Sequence, residues 1–140
     1  MSIDEIDKEA LKLILRASNS SHPNEFAGIL RSKGNRITEV LILPGTFTSE
    51  RSALMNLYML PISSQSCGSV HSHSSSVPEP SRADLNFFDK FGEVHLIVAS
   101  PYNESSWKAF NKAGKEVKLE IVESEDGDST SSRYHEEFWT

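Results

Sequence analysis

Cysteine is almost absent from this chain of 140 residues, which holds only Cys67. One thiol cannot form an intrachain disulfide, and it cannot supply a zinc site built from several cysteines. A cysteine content this low fits a reducing compartment. We therefore expect Cys67 to behave as a small buried hydrophobe and not as a redox or metal-binding group.

Basic charge and long apolar segments are also scarce. The 14 Lys and Arg residues are outnumbered by 20 Asp and Glu residues, which gives a net charge of -6 and argues against nucleic-acid binding. No segment approaches the roughly 20 apolar residues that span a bilayer. Residues 1–10 carry acidic groups where a signal peptide would have positive charge and an apolar run. We expect a soluble, cytoplasmic protein without a nucleic-acid or membrane partner.

The length and the distribution of residue types predict one folded domain. A chain of this size buries roughly two-thirds of the surface that it exposes when unfolded, so it needs no disulfides or structural metal ions to fold. We predict that residues 1–123 form the domain and that residues 124–140 form an acidic, Ser-rich linker with an aromatic tail, Tyr134–Thr140. The sequence does not indicate the oligomeric state or the role of the tail.

Helical and strand patterns are mixed along the chain. Apolar spacing predicts an amphipathic helix over residues 3–18, begun by a Ser2-to-Glu5 capping box, and a second helix over 81–91. Residues 49–60 suit either a helix or a buried strand. Further segments read as strands, and they are 26–30, 36–43, 67–71, 94–100 and a hairpin of 107–110 with 116–122. This mixture predicts an α/β or α+β fold around one sheet.

The segment His71-Ser72-His73 carries the first indication of chemistry. At the end of a strand, side chains at i and i+2 point to the same face, so both imidazoles can reach one metal ion. Zinc prefers tetrahedral geometry and needs a third protein ligand. Asp84 is the candidate, because it lies three residues into the following helix after a loop long enough to fold back.

A catalytic zinc site keeps its fourth position for water, whose pKa the ion lowers to about 7. The reaction then needs a general base that later protonates the leaving amine, and Glu25 at the start of the first strand is the best candidate. It also needs a hydrogen-bond donor for the oxyanion. Ser81, one helical turn before Asp84, is placed for that role.

Each of these residues also has a simpler explanation when it is taken alone. A His-x-His pair is common by chance, and Ser81-x-x-Asp84 is an ordinary capping box. The two interpretations of Ser81 and Asp84 are compatible, since a cap can hold a ligand in a fixed rotamer. We expect His22 to be a surface residue and His95, inside an apolar strand, to be a core histidine. Ser72 should point away from the metal and support the site by hydrogen bonding.

The combination has a family resemblance. Glu25, then His71-Ser72-His73, seven residues, Ser81, two residues and Asp84 resembles the signature of the JAMM metallopeptidases, the MPN-plus domains of proteasome-lid and signalosome deubiquitinating subunits and of short archaeal and bacterial proteins. The resemblance runs from about residue 25 to 110. It implies a cytidine-deaminase-like MPN fold with a mixed central sheet flanked by helices. One departure is Ser74, where many members have proline.

The resemblance also implies roles and a reaction. His71, His73 and Asp84 would bind one zinc ion per chain, Glu25 would act as general base and then general acid, and Ser81 would stabilise the oxyanion. The implied reaction is hydrolysis of the isopeptide bond between the C-terminus of a ubiquitin-like modifier and a lysine. The chain lacks the long insertions of larger members, which favours a compact prokaryotic-type enzyme.

Three alternatives to the isopeptidase are weighed. The first is a zinc peptidase that trims the C-terminus of a ubiquitin-like sulfur-carrier protein, and only a substrate panel separates it from an isopeptidase. The second is a non-catalytic MPN scaffold, against which the intact set of five residues argues. The third is a nucleoside deaminase, which needs a Pro-Cys-x-x-Cys pair that one cysteine cannot supply.

Overall fold

The computed structural model describes residues 2–59 and 66–124, and these residues form one mixed eight-stranded sheet with three helices. The predicted α/β class is confirmed. Residues 125–140, most of the predicted linker and tail, lie outside the described residues. In chain order the elements are β1 (Glu5–Asp7), α1 (Lys8–Ser21), β2 (Ala27–Lys33), β3 (Arg36–Ile42), α2 (Glu50–Tyr58), β4 (Ser66–His73), α3 (Arg82–Lys90), β5 (Val94–Ala99), β6 (Trp107–Asn111), β7 (Glu116–Val117) and β8 (Glu120–Val122).

The first helix begins later than the apolar spacing over 3–18 predicts. Its expected first turn forms strand β1, which pairs in parallel with β3 and β8. Asp7 caps α1 instead, because its carboxylate accepts a hydrogen bond from the backbone N–H of Glu9 at 2.9 Å. The predicted Ser2-to-Glu5 capping box is therefore wrong. Backbone pairing with two distant strands outweighs a local helix signal.

The predicted hairpin of 107–110 with 116–122 is correct in its first half only. Strands β6 and β7 pair antiparallel, but β8 leaves them and pairs with β1 at the opposite edge of the sheet. The segment 49–60, which suited helix or strand, contains helix α2, and the serine before it caps the helix.

Strand β4 lies in the middle of the sheet, whose order is β7-β6-β5-β4-β2-β3-β1-β8. It pairs antiparallel with β2, where Ala27 lies opposite His71, and parallel with β5. Because side chains alternate along a strand, Val70 and Ser72 face one side of the sheet, while His71 and His73 face the other. The fold thus brings the ends of β2 and β4 together under α2 and α3.

Two apolar cores lie on the two faces of the sheet. Side chains of α1 pack on one face, and those of α2 and α3 pack on the other. Each fully buried aliphatic or aromatic side chain contributes about 1.5–3 kcal/mol, so both cores hold the sheet in place. No helix in the described ranges is long and apolar enough to cross a membrane. Representative buried members are Leu11, Ile14, Leu30 and Leu96 in the first core and Leu57, Phe88, Ile97 and Phe110 in the second.

Candidate metal centre

Strand β4 presents two histidines to the same side of the sheet, as strand alternation predicts. His71 is fully buried, His73 is 9% exposed, and their ring centroids lie 5.2 Å apart. Nδ1 of His73 lies 3.1 Å from the carbonyl oxygen of Val77. A carbonyl only accepts, so Nδ1 donates and the lone pair of neutral His73 is on Nε2. Nε2 is thus the nitrogen available to a metal.

Helix α3 brings a carboxylate to these imidazoles. Asp84 is fully buried, and its Oδ1 lies 3.0 Å from His71 Nε2 while Oδ2 lies 3.6 Å from His73 Nε2. The same residue completes a capping box, because Ser81 Oγ accepts from the Asp84 N–H and Asp84 Oδ2 accepts from the Ser81 N–H. The capping box is therefore confirmed, and its geometry is compatible with the predicted ligand role of Asp84. The cap fixes the carboxylate where the histidines point.

Sequence reasoning missed a second carboxylate, Glu50, the first residue of α2. Its Oε1 lies 4.0 Å from His71 Nε2 and 3.8 Å from His73 Nε2, and it accepts a hydrogen bond from Ser81 Oγ at 2.6 Å. An acidic residue in the first turn of a helix is ordinary, because it complements the helix dipole. The sequence therefore gave no signal that could have marked Glu50.

The four side chains fit a tetrahedral zinc ion. Ligand atoms at about 2.0–2.1 Å from such an ion stand about 3.3 Å apart, and one donor atom from each of Glu50, His71, His73 and Asp84 lies within 4.8 Å of the others. Nε2 of His71, Nε2 of His73 and Oδ1 of Asp84 are all buried without a hydrogen-bond partner of normal geometry. Buried polar atoms are rarely left so. A bound cation would satisfy all of them.

The electrostatics of the cluster act differently on each of its groups. Burial alone would raise the pKa of Asp84, but the neighbouring His71 and His73 outweigh it and hold that pKa well below its ordinary value. Burial likewise disfavours charge on His73, yet Asp84 raises its pKa. Burial and the hydrogen bond with Asp84 raise the pKa of Glu50. Two carboxylates directed at one point repel each other and attract a cation.

Glu25 lies at the start of β2 beside the histidines. Its backbone forms a bridge with Phe47, and extending the register of β2 and β4 places Glu25 opposite His73. The residue is 9% exposed, and its Oε1 has no hydrogen-bond partner. Burial raises the pKa of Glu25 although His71 and His73 oppose this. A carboxyl group with a raised pKa is suited to accept and return a proton.

Two further residues fix the ends of the strands. Ser72 Oγ accepts the backbone N–H of Phe26 at 2.9 Å, so Ser72 supports the segment that carries Glu25, as predicted. The Tyr102 hydroxyl donates to the carbonyl of His73 at 3.3 Å and lies 2.7 Å from His22 Nδ1. Tyr102 has φ +63°, a left-handed conformation that a tyrosine rarely adopts. The sequence patterns assigned no role to this tyrosine.

The remaining sequence predictions for single residues also hold. His22 is exposed at the end of α1, His95 is fully buried, and Cys67 is buried with a free thiol. Burial raises the pKa of Cys67 to about 11, which makes a metal-ligating thiolate unfavourable. The predicted set of five therefore comes together at one place, and the described structure adds Glu50 to it.

Comparison with known proteins identifies similar chains. Residues 7–111 match the family model described as prokaryotic homologs of the JAB domain. A protein of Haloferax volcanii named probable metalloprotease is 37% identical over an alignment 136 residues long, and the alignment covers 90% of this chain and 84% of the relative.

Solved structures give the same picture. A JAB1/MPN domain protein from Archaeoglobus fulgidus is 39% identical with a TM-score of 0.70, covering 84% of this chain and 98% of that chain. A structure described as JAMM, a metalloprotease-like zinc site in the proteasome and signalosome, is 36% identical with a TM-score of 0.69, covering 86% and 99%. A protein from Desulfitobacterium hafniense, 20% identical with a TM-score of 0.56, covers 89% of this chain and 97% of its own, and it shares the fold alone.

Proposed function

We propose, from the premise that this chain belongs to the prokaryotic JAB domain family, that it is a zinc-dependent isopeptidase. Its substrate would be a conjugate in which the C-terminus of a ubiquitin-like modifier is joined to a lysine. The JAMM metalloprotease relationship supports a zinc metallopeptidase. The isopeptide substrate is our own step beyond that relationship. The lone buried thiol is compatible with the cytoplasm as its location.

The observation that carries the proposal is the cluster at the ends of β4 and β2. His71, His73 and the Asp84 carboxylate converge with unpaired buried atoms, and another carboxyl group, that of Glu25, lies next to them with a raised pKa. A cluster that served only as a structural ion pair would not need the additional carboxyl group of Glu25. A metal-assisted hydrolase needs both parts, three ligands and a proton carrier.

The proposed roles divide between holding and reacting. His71, His73 and Asp84 would hold the ion, which when bound acts as a Lewis acid and makes hydroxide available at neutral pH. Glu25 would take the proton of the attacking water and later give it to the leaving lysine amine. Ser81 would donate a hydrogen bond from its hydroxyl to the developing oxyanion. To do so, it must first release the hydrogen bond that it donates to Glu50.

The central test is Glu25→Gln, which keeps the shape of the side chain but removes the proton acceptor. We expect it to retain zinc and fold while turnover falls by about 10²–10⁴-fold, the usual contribution of general acid–base catalysis. Glu104→Gln is the matched control, since that carboxylate is exposed on a loop. Near-normal turnover in the Glu25 variant would contradict the assigned role.

A second experiment addresses the substrate. The protein is incubated with a ubiquitin-like protein joined through its C-terminus to a lysine side chain, and with the same protein carrying a C-terminal α-peptide extension. Each is tested with and without a chelator. Preferential, chelator-sensitive cleavage of the isopeptide supports the proposal. Cleavage of the extension alone would indicate a peptidase that trims carrier proteins instead.

A further inference from the structure

Glu50 has no task in the roles assigned above, yet it points into the centre of the site. Its side chain is 24% exposed, and Oε1 lies 4.0 Å and 3.8 Å from the Nε2 atoms of His71 and His73. Ser49 caps the helix that Glu50 begins, since Ser49 Oγ accepts from the N–H of Ser52. The glutamate is therefore held on a defined helix end and not on a loose surface loop.

The positions of four donors match what a closed metal site requires. A catalytic zinc site has three protein ligands and one open position, whereas a closed site has four protein ligands. Here Glu50 supplies a fourth donor in the same group as His71, His73 and Asp84. The unpaired buried atoms of the histidines and Asp84 face this group as an independent sign that a cation belongs there.

Glu50 also engages the hydroxyl that the reaction needs. Ser81 Oγ donates its single proton to Glu50 Oε1 at 2.6 Å, while its lone pair accepts the N–H of Asp84 at 3.1 Å. A serine hydroxyl has one proton to donate. As long as the Ser81 hydroxyl donates this hydrogen bond to Glu50, it cannot donate one to an oxyanion.

We propose that Glu50 is a fourth protein ligand of the metal site and that it keeps the centre closed in the resting protein. In this state it fills the open coordination position and takes the Ser81 hydrogen bond. This inference rests on the proposed function. The attacking water and the substrate carbonyl could reach the ion only after the Glu50 carboxylate had moved away, so Glu50 would act as a built-in competitor. The displaced carboxylate stays at the start of α2, where the helix dipole favours negative charge.

The test measures metal binding in the absence of substrate. The affinity of the full chain for Zn²⁺ is measured by competition with a chromophoric chelator, and the absorption spectrum is recorded after loading with Co²⁺. For Glu50→Gln we expect Zn²⁺ to bind at least about tenfold more weakly, the lower end of what the loss of even an outer-shell partner costs. The Co²⁺ spectrum should change because one carboxylate ligand is lost.

Glu50→Asp separates ligation from helix stability. It keeps negative charge at the first turn of α2 but withdraws the carboxylate by one methylene, so its Co²⁺ spectrum should resemble that of Glu50→Gln. Glu104→Gln should retain the wild-type affinity and spectrum. Both Glu50 variants should also have a lower KM in peptidase assays, since the competitor is weakened.

The outcomes distinguish this inference from the proposed function. If the wild type and both Glu50 variants bind Zn²⁺ equally and give the same Co²⁺ spectrum, Glu50 is not a ligand, and the isopeptidase proposal is unaffected. If the wild-type chain binds no Zn²⁺, the proposed function itself fails. A weaker affinity with an altered spectrum in both variants supports the closed centre.

Discussion

Two buried histidines lie on the same face of the sheet in neighbouring strands, and they differ in what surrounds them. His71 and His95 are both fully buried, and their strands pair in parallel, with His95 opposite Ser69 and His71 opposite Ile97. His71 Nε2 faces the Asp84 carboxylate at 3.0 Å. His95 instead stacks on Phe88, with ring centroids 4.3 Å apart and an interplanar angle of 8°.

The difference shows that acidic neighbours, not burial, separate the candidate ligand from the core histidine. The Nδ1 of His95 lies 2.7 Å from Ser69 Oγ, a neutral partner. Burial lowers the pKa of His95 to about 4, so this ring is neutral in the folded protein at ordinary pH. Among the residues that the structure describes, the group of candidate metal ligands does not include His95, whereas two carboxylates lie within 4.0 Å of His71 Nε2.

The largest expected effect comes from removing the acidic neighbour. Asp84→Ala should reduce zinc affinity by more than about a hundredfold, beyond the usual cost of losing an outer-shell partner. His95→Gln should keep one zinc ion per chain. Metal analysis after dialysis measures both. Full zinc occupancy in Asp84→Ala would show that acidic neighbours do not determine which of the two histidines binds the metal.

The second prediction concerns pH and the core histidine. The unfolded chain binds a proton at His95 below its ordinary pKa of 6.5, whereas the folded chain does so only near pH 4. The free energy of unfolding should therefore fall as pH drops from 6.5 to 4, by about 3 kcal/mol from this ring. Urea unfolding across this range should give a shallower pH slope for His95→Gln.

Phe88→Leu is the control for this slope. It removes the ring that stacks on His95 but keeps the imidazole buried among apolar groups. Its free energy of unfolding should be lower at every pH, while the slope between pH 6.5 and 4 remains steep. Identical slopes for the wild type and His95→Gln would contradict the assignment.

The smallest expected effect comes from two serines of β4 with partners on opposite faces. Ser69→Ala leaves Nδ1 of His95 unpaired, and Ser72→Ala leaves the N–H of Phe26 unpaired. Each should lower the free energy of unfolding by about 1–3 kcal/mol. Only Ser72→Ala should also lower turnover, because Phe26 adjoins Glu25. A change in the zinc affinity of Ser69→Ala would contradict the conclusion that His95 and its surroundings do not take part in metal binding.

Much of the fold followed from local patterns. The apolar run 94–100 contains β5, and the predicted strand segments 26–30 and 36–43 correspond to β2 and β3, which a turn with Gly34 at φ +59° joins. The errors occurred where distant strands compete with local propensity. The segment before Asp7 has helical spacing, but its backbone pairs with β3 and β8 and forms a strand. Strand pairing across more than 100 residues leaves no mark in a local window.

The candidate site was more predictable than its surroundings. Strand alternation puts His71 and His73 on one face, and the capping motif puts Asp84 in the first turn of α3, so spacing alone indicated their proximity. Glu50 lies in an element whose type was ambiguous, and it reaches the site only because α2 packs over the end of β4.

The sequence by itself determined the types of side chain and the local geometry that brings some of them together. Periods of two and 3.6 residues are encoded within a few neighbouring positions, so His71, His73, Ser81 and Asp84 could be grouped without coordinates. The tertiary structure decided which buried histidine meets carboxylates and which meets Phe88. That choice depends on how helices pack across the sheet, and packing is a property of the whole chain and not of any window along it.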